Sequence, residues 1–262
     1  MQSLDTQLKK PVRVQILRRS DIMKIPTKEI KIRKKTVFLF MFIIGFTIIS
    51  VFMMQLNKGS SPNTEIVLKD IELIQFEQPK EGQDIAVIET SAGTMKAMIF
   101  SEECPKAAAL FKEAAANGAY TNLPVSQIEK GIMFICNSRN EKGKTIPDEY
   151  HKNLWPFKGS ICTVSSQLGY GSESIFFIDT AEITDEMKQT FSNSGELQSV
   201  SDAFIEHGGI PNFTQQYTVF AQVYDGLDVI DAITDSAYDE ETGTPTDEIV
   251  IKSVTISTYT KE

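Results

Sequence analysis

The chain has 262 residues, with 26 Lys and Arg against 35 Asp and Glu, so its net charge at pH 7 is −9. Nucleic acid and anionic lipid carry charge of the same sign and are repelled, so this balance argues against a nucleic-acid partner. There are three cysteines, Cys104, Cys136 and Cys162, and no C-x-x-C pair, which argues against a disulfide framework. The two histidines are far apart in sequence, so the sequence predicts no metal site. No cofactor is expected.

An uncharged apolar run begins at Val37 and ends at Leu56, reading VFLFMFIIGFTIISVFMMQL. Its residues would reach about 30 Å as a helix, which is the thickness of the hydrocarbon core of a bilayer. A buried core helix is the alternative, but helices of globular proteins keep a polar face and this run has almost none. The run therefore predicts a transmembrane helix over residues 36–56.

Charge is divided unevenly around this run. Residues 1–35 hold eleven Lys and Arg against three acids, a charge of +8, so the rest of the chain carries −17 of the total of −9. Basic flanks stay in the cytoplasm, which predicts a basic cytoplasmic tail, a single-pass anchor in the cell membrane and an extracytoplasmic C-terminal part. A cleaved signal peptide is the rival interpretation, but the run exceeds an h-region of about 7–15 residues and no A-x-A-like site follows it. Whether translation starts at Met1 or at Met23 stays open.

Residues 57–83 begin with Gly, Ser, Pro and Asn and are expected to form an extracytoplasmic spacer, although short apolar stretches near their end leave an added strand open. One domain is expected over residues 84–262. Its first feature is a hairpin of two alternating runs, residues 85–90 and 95–100, joined through Ser-Ala-Gly. A helix with a proline at its start follows and ends at Asn117-Gly118.

The rest of the domain reads mainly as short strands. Residues 123–137 predict a pair of strands or one bent strand, and the remaining strands are expected at residues 160–165, 174–179, 217–223 and 249–256. Residues 184–207 are helical in pattern, with an apolar stripe at Leu197, Val200 and Phe204 that should dock on the domain or bind a partner. A short helix is expected at residues 227–233. Together these elements predict a mostly β domain, an antiparallel barrel or sandwich capped by helices.

Four stretches in the correct order resemble the cyclophilins, which are peptidyl-prolyl cis-trans isomerases. IETSAGTMKAMIF followed by ECPKAAALF is similar to the opening hairpin and first helix of that family. SESIFFIDT is similar to its G-S-Q-F-F-I strand, and GGIPNFTQQYTVFAQVYDGLDVIDAI to the block that follows in bacterial members. The match covers about residues 85–257. It implies a cyclophilin-like eight-stranded antiparallel barrel with capping helices, and activity on X-Pro bonds.

The resemblance also implies a site. The family pattern F-H-R-V-I-x-x-F-M-I-Q-G-G falls on residues 125–137, which puts Gln127 in place of the arginine, while Q-F-F-I falls on residues 175–178. The residues implied as catalytic are Gln127, Phe177 and Tyr217. Those implied as substrate-binding are Ile132, Met133, Ile135, Ser165, Ile175 and Phe213.

The replacement of arginine by Gln127 matters for the chemistry that the resemblance implies. Rotation about an X-Pro bond crosses a barrier of about 18–20 kcal/mol because resonance flattens the amide. In the family, arginine donates to the prolyl nitrogen and weakens that resonance, and a neutral donor is worth roughly half a charged one. Two functions stay open: a membrane-anchored isomerase of exported polypeptides with weakened catalysis, and a non-catalytic module that keeps the fold and binds proline-containing peptides or proteins. The sequence leaves the substrate and the oligomeric state open.

Overall fold

The computed structural model describes residues 69–140, 143–180, 183 and 197–261. The chain divides into two units, residues 1–61 and 62–262, and every described residue belongs to the second unit. The basic tail, the expected transmembrane helix and most of the first half of the expected spacer lie outside the described residues, as do residues 184–196 of the expected helix. Within the described ranges, no helix is both long and apolar enough to span a bilayer.

The described part of the domain is mostly β, with few helices. Its strands are β1 (Asp84–Thr90), β2 (Thr94–Ile99), β3 (Leu123–Pro124), β4 (Gln127–Glu129), β5 (Met133–Cys136), β6 (Thr145–Pro147), β7 (Ser160–Gln167), β8 (Tyr170–Ile178), β9 (Val219–Asp225) and β10 (Val250–Thr258). Its α-helices are α1 (Pro105–Ala116), α2 (Gln198–His207) and α3 (Leu227–Thr234), and 3₁₀ turns occur at Ile74–Phe76 and Pro211–Phe213.

All of these strands pair antiparallel in one curled sheet, in the order β3-β10-β1-β2-β9-β7-β8-β5-β4, with β6 attached to β8. The first and last strands of this order, β3 and β4, are separated in the chain only by Val125 and Ser126. Both ends of the hydrogen-bonded order therefore lie on one short stretch of chain, which is how a curled sheet comes back to its starting point.

The expected eight-stranded barrel needs a correction in its strand count. Ten strands form because the stretch that read as a pair of strands or one bent strand is divided into β3, β4 and β5. The other added strand, β6, lies in a polar stretch that the sequence pattern did not identify as β structure, and it pairs with the start of β8. The mostly β, antiparallel character of the sheet agrees with the sequence-based prediction.

The main core is formed by one face of the sheet and the buried face of α1. Helix α1 begins with Pro105 at its first turn, where a missing N–H costs nothing, and buries a face of alanines with Phe111. The Phe111 ring lies 5.2 Å from the ring of Tyr120 and 5.0 Å from that of Phe220. All three cysteines are free and buried.

A second, smaller core joins α2 to the segment before β1. Its buried members are Trp155, Phe157, Ile183, Val200, Ala203 and Phe204, and Ile71, Leu73 and Leu197 pack against them. The apolar stripe of α2 therefore docks on the domain, one of its two expected outcomes. The expected spacer over residues 57–83 does not hold for its whole length, because Ile71 and Leu73 pack against this core and Ile74 is buried in the main core.

Gln75 fixes that N-terminal segment in place. Its side-chain NH₂ group, with two hydrogens to donate, lies within hydrogen-bonding distance of three acceptors: the carbonyl of Trp155 at 2.9 Å, Ser160 Oγ at 3.0 Å and Gln222 Oε1 at 2.9 Å. In return its Oε1 accepts from the backbone N–H of Trp155 at 2.7 Å. Gln75 is only 3% exposed, so this network satisfies a buried amide that would otherwise be costly to bury.

Candidate functional site

The candidate site is one face of three neighbouring strands, β4, β5 and β8. Gln127 lies opposite Ile135 and Glu129 lies opposite Met133, and Ile135 lies in turn opposite Phe176 on β8. Residues directly opposite each other in an antiparallel pair share a face of the sheet. We call this surface the site face and define it as Gln127, Glu129, Met133, Ile135 and Phe176.

The other face of the same strands is the core. Ile128, Phe134 and Cys136 alternate with the residues of the site face and are each at most 1% exposed, whereas Gln127, Met133 and Ile135 are half-buried. This alternation is the period-two pattern of a sheet that is packed on one side and accessible on the other. The site face is therefore the accessible side of the sheet.

Three aromatic rings form one wall of the site face. The ring of Phe176 meets Phe213 edge-on at a centroid distance of 5.9 Å and Tyr217 edge-on at 5.1 Å. Phe213 and Tyr217 lie 4.8 Å apart. Edge-to-face contacts of this kind fix the orientation of the rings. Phe213 and Tyr217 are half-buried, so part of each ring is accessible to an apolar ligand, such as a prolyl ring.

Gln127 is held by packing on its aliphatic part. A Cβ placed on Gly243 would lie 2.7 Å from Gln127 Cγ, and the backbone N–H of Ile128 donates to the carbonyl of Gly243 at 2.7 Å. Gly243 therefore lets the loop approach the outer edge of β4 closely. The terminal amide of Gln127 makes no side-chain hydrogen bond to another described residue and is available to a ligand.

Tyr217 supplies a second donor next to the aromatic wall. Burial raises the pKa of its phenol, and Cys162, Glu129 and Asp148 raise it further, so the hydroxyl keeps its proton at neutral pH. The side chain of the adjacent Thr218 is held by two hydrogen bonds, because its hydroxyl donates to Asp148 at 3.2 Å and accepts from the N–H of Glu149 at 2.9 Å. This anchoring fixes the start of β9 and with it the position of Tyr217.

Two residues that the sequence assigned to the site lie on the opposite face. Phe177 is 0% exposed and stacks on Phe134 at a centroid distance of 4.5 Å, and Ile175 is 1% exposed opposite Cys136. Both side chains belong to the core, so the assignments of Phe177 as catalytic and Ile175 as substrate-binding are wrong. The physical reason is a match that is one residue out of register, which exchanges the two faces of a strand.

Phe176 is the site residue that the sequence missed. Shifting the match on β8 by one residue places the pocket phenylalanine of the family on Phe176 and its glutamine on Ser174. Ser174 lies two residues before Phe176, so it shares that face, and its Oγ accepts from the N–H of Ser138 at 2.8 Å. No sequence signal distinguishes Phe176 from Phe177, because both neighbours are apolar.

The remaining predicted residues divide into two groups. Gln127, Met133, Ile135, Phe213 and Tyr217 are brought together by the site face and its aromatic wall. By contrast, Ile132 lies in the turn before β5 and is 40% exposed, and Ser165 is exposed on β7. These two residues are not part of the site face. Glu129, which is half-buried on that face, was also missed by the sequence.

The arrangement can bind an apolar ring against aromatic side chains and offer it neutral hydrogen-bond donors. Gln127 supplies an amide N–H and Tyr217 a phenolic O–H, and no cationic side chain belongs to the site face as defined. Polar donors that face an apolar wall are suited to orienting a peptide around a proline. They provide less electrostatic stabilisation of developing charge than a guanidinium would.

Comparison with known proteins gives a consistent family. The family model for cyclophilin type peptidyl-prolyl cis-trans isomerase/CLD matches residues 85–256. A provisionally assigned peptidyl-prolyl cis-trans isomerase of Staphylococcus aureus (strain USA300) is 23% identical over 185 residues, which cover 68% of this chain and 93% of that protein. A provisionally assigned bifunctional phosphatase/peptidyl-prolyl cis-trans isomerase of Streptococcus pyogenes serotype M6 is 21% identical over 204 residues, covering 73% of this chain and 42% of that protein.

Solved structures show the same fold. The crystal structure of a Cryptosporidium parvum cyclophilin type peptidyl-prolyl cis-trans isomerase has a TM-score of 0.53 and 19% identity, and the match covers 68% of this chain and 99% of that one. A second structure of the same enzyme, in the presence of the dipeptide Ala-Pro, has a TM-score of 0.51 and 20% identity. With the family model spanning β1 to most of β10, the chain belongs to the cyclophilin-type peptidyl-prolyl cis-trans isomerase family.

Proposed function

We propose that this protein is a membrane-anchored, extracytoplasmic peptidyl-prolyl cis-trans isomerase that acts on X-Pro bonds of exported polypeptides with weakened catalysis. The observation that carries the activity is the site face, where Phe176, Phe213 and Tyr217 form an aromatic wall beside the free amide of Gln127. The presence of Ala-Pro in the experiment on the Cryptosporidium enzyme supports a proline-containing ligand here.

The anchoring and the orientation rest on the sequence. The uncharged run from Val37 to Leu56 is long enough to cross a bilayer, and the basic residues before it favour a cytoplasmic N-terminus. A domain placed outside the cell would meet polypeptides as they emerge unfolded. Slow isomerisation of their X-Pro bonds limits folding at that stage.

Weakened catalysis follows from the donor at position 127. Losing a charged donor from a partly desolvated site costs about 2–4 kcal/mol of transition-state stabilisation, which is roughly thirty- to a thousandfold in rate. Binding of the ground state depends more on the apolar wall, which is intact. We therefore expect peptide affinity to be better preserved than turnover.

A non-catalytic binding module is the second candidate, and the same substitution favours it. A face that keeps the aromatic wall and has no cation opposite the prolyl nitrogen would hold a proline peptide without accelerating rotation. The two candidates differ only in turnover, so one series of measurements separates them.

The test is to measure the isomerisation rate of an Ala-Ala-Pro-Phe peptide by exchange NMR, using the full chain purified in a mild detergent. Wild-type protein should accelerate exchange weakly, and Gln127→Ala should remove most of the acceleration because the amide donor is lost and only the hydroxyl of Tyr217 is left. Gln127→Arg should raise the rate by a few fold, with a larger gain when Ile135→Gln supplies a neighbouring hydrogen-bonding group.

Gln78→Ala is the matched control, since Gln78 is exposed and lies outside the site face. Binding without any acceleration would establish the binding module instead. An acceleration that is unchanged in Gln127→Ala would show that Gln127 is not the donor, and absence of both binding and acceleration would refute both candidates.

A further inference from the structure

Glu129 places a carboxylate on the site face. It lies two residues after Gln127 on the same strand and directly opposite Met133, so it shares their face, and it is half-buried. The next residue, Lys130, forms an ion pair with Asp235 at 3.4 Å, in which both side chains are largely exposed. The nearest cation along the chain is thus already paired at the edge of the site.

The carboxylate of Glu129 is uncompensated. Among the described residues it forms no ion pair and no side-chain hydrogen bond. A carboxylate that has lost part of its hydration without gaining a partner costs free energy, and a cation bound beside it recovers that cost. Burial accordingly raises the pKa of Glu129 above its ordinary value.

The same carboxylate faces the place where a prolyl ring would bind. It is one of the charges that raise the pKa of Tyr217, after burial and Cys162, so it lies within electrostatic reach of the aromatic wall. Asp148 also acts on Tyr217, but its oxygens accept hydrogen bonds from Tyr150 and Thr218 at 3.2 Å each. Of the two carboxylates acting on Tyr217, only that of Glu129 has no side-chain partner among the residues that the structure describes.

We propose that Glu129 selects substrates with a cationic side chain, Lys or Arg, on the residue next to the proline. Adjacent Cα atoms are about 3.8 Å apart, so a long cationic side chain beside a ring bound at Phe176 can reach a carboxylate on the same face. The inference rests on the proposed function, since it presumes that a proline binds at the aromatic wall. The charge of −17 on residues 36–262 would add attraction for cationic peptides at longer range.

The test compares peptides that differ only in the charge of one residue. The full chain in a mild detergent is titrated with Ala-Xaa-Pro-Phe and with Ala-Ala-Pro-Xaa, where Xaa is Lys or its uncharged isostere norleucine. In one of the two series wild-type protein should bind the Lys peptide about tenfold more tightly than the norleucine peptide at low salt. Glu129→Gln should abolish this preference by lowering the affinity for the Lys peptide to that for the norleucine peptide.

Glu102→Gln is the matched control, because it removes the same charge from an exposed residue in a separate groove beside Phe100 and Glu103. Its Lys preference should stay within about twofold of wild type, since only long-range attraction changes. Equal affinity for the Lys and norleucine peptides in wild type would overturn the proposal. So would a preference that survives in Glu129→Gln.

Folding of the variant is checked by chemical unfolding at pH 7. Because the pKa of Glu129 is raised, its ionised form is disfavoured in the folded protein at pH values above its ordinary pKa of 4.5, and that cost disappears as the pH falls below 4.5. Glu129→Gln should therefore be at least as stable as wild type at pH 7. A clear loss of stability would show that the carboxylate is a structural group and would contradict the proposal.

Failure of this inference can be told from failure of the proposed function. Replacing the proline of the norleucine peptide by alanine tests whether proline is recognised at all. If the proline peptide binds better and Lys gives no advantage, only the role of Glu129 is lost. If proline and alanine peptides bind equally, the proposed function itself fails, whatever the effect of charge.

Discussion

Phe176 and Phe177 are neighbours of identical chemistry with different surroundings. Phe176 lies at the aromatic wall with Phe213 and Tyr217, whereas Phe177 stacks on Phe134 in the core. Both are nearly inaccessible, with 3% and 0% of their surface exposed, so burial alone does not indicate their roles. What separates them is the face of β8 on which each side chain lies.

The pair offers a matched test of the site. Phe176→Leu should weaken binding of proline peptides about tenfold, because an aromatic contact worth about 0.5–1.5 kcal/mol and its packing area are lost from the wall. Phe177→Leu should leave peptide affinity within about twofold and lower the free energy of unfolding by about 1–2 kcal/mol. Peptide titration and urea unfolding of both variants check this. If Phe177→Leu weakened peptide binding and Phe176→Leu did not, Phe177 would be the residue that contacts the ligand.

The register of β8 also changes what should be engineered there. An amide introduced by Ile175→Gln would enter the core opposite Cys136 rather than the site. An unpaired buried amide costs about 1–3 kcal/mol. Ser174 is the position on this strand from which a glutamine would face the substrate.

These positions show where reasoning from sequence stops. Gln127, Met133 and Ile135 could be assigned because the family pattern falls on residues 125–137, and in the structure these three residues are half-buried while their neighbours Ile128, Phe134 and Cys136 are buried. The run Ile-Phe-Phe-Ile on β8 is apolar on both faces, so nothing in its pattern fixes which phenylalanine faces the ligand. A slip of one residue then exchanges every side chain of the strand.

At the scale of elements, three features could be predicted because each has a local sequence signal. Alternation of polar and apolar residues predicts the hairpin of β1 and β2, a proline at the helix start predicts α1, and an apolar stripe predicts α3. The docking of residues 71–76 could not. Gln75 makes its contacts with Ser160 and Gln222, 85 and 147 residues further along the chain. Because the partners of this three-residue turn are so distant in sequence, no local sequence pattern predicts that it packs on the domain.

Helix α2 stabilises the domain through one face only. Phe204 is fully buried and its ring lies 4.5 Å from that of Phe157, while the next residue, Ile205, is 48% exposed. Phe204→Ala should lower the free energy of unfolding by about 3–5 kcal/mol, because a large buried ring leaves a cavity. Ile205→Ala, the matched control, should change it by less than about 0.5 kcal/mol. Chemical unfolding of the two variants measures these changes in free energy. Equal losses of stability in both variants would show that the helix does not dock as described.

At the scale of the whole molecule, the domain begins earlier than the family match does. The match starts at residue 85, whereas Ile74 and Gln75 are already buried in the domain. Any linker to the proposed anchor at residues 36–56 is therefore shorter than the sequence suggests.

The proposed topology makes a direct prediction. Protease added to intact cells should digest the domain and leave residues 1–35 intact, because basic flanks stay in the cytoplasm. Epitope tags at the two ends of the chain, followed by immunoblotting, give the measurement. Permeabilised cells are the control, in which the N-terminal tag should also be lost. A domain that survives in intact cells and disappears only after permeabilisation would reverse the orientation.

The pairing of β1 with β10 sets the order in which the protein can be completed during biosynthesis. Glu89 on β1 accepts a hydrogen bond from Ser253 on β10, 164 residues later, and the N–H of Tyr259 donates to the carbonyl of Gln83 at 2.8 Å. A ribosome adding about 5–20 residues per second needs roughly 10–30 s to cover that distance. During this interval one edge of β1 has no partner strand, so the nascent chain presents an open edge that invites aggregation. The strand order therefore leaves this edge of β1 open until the last strand of the sheet has been synthesised.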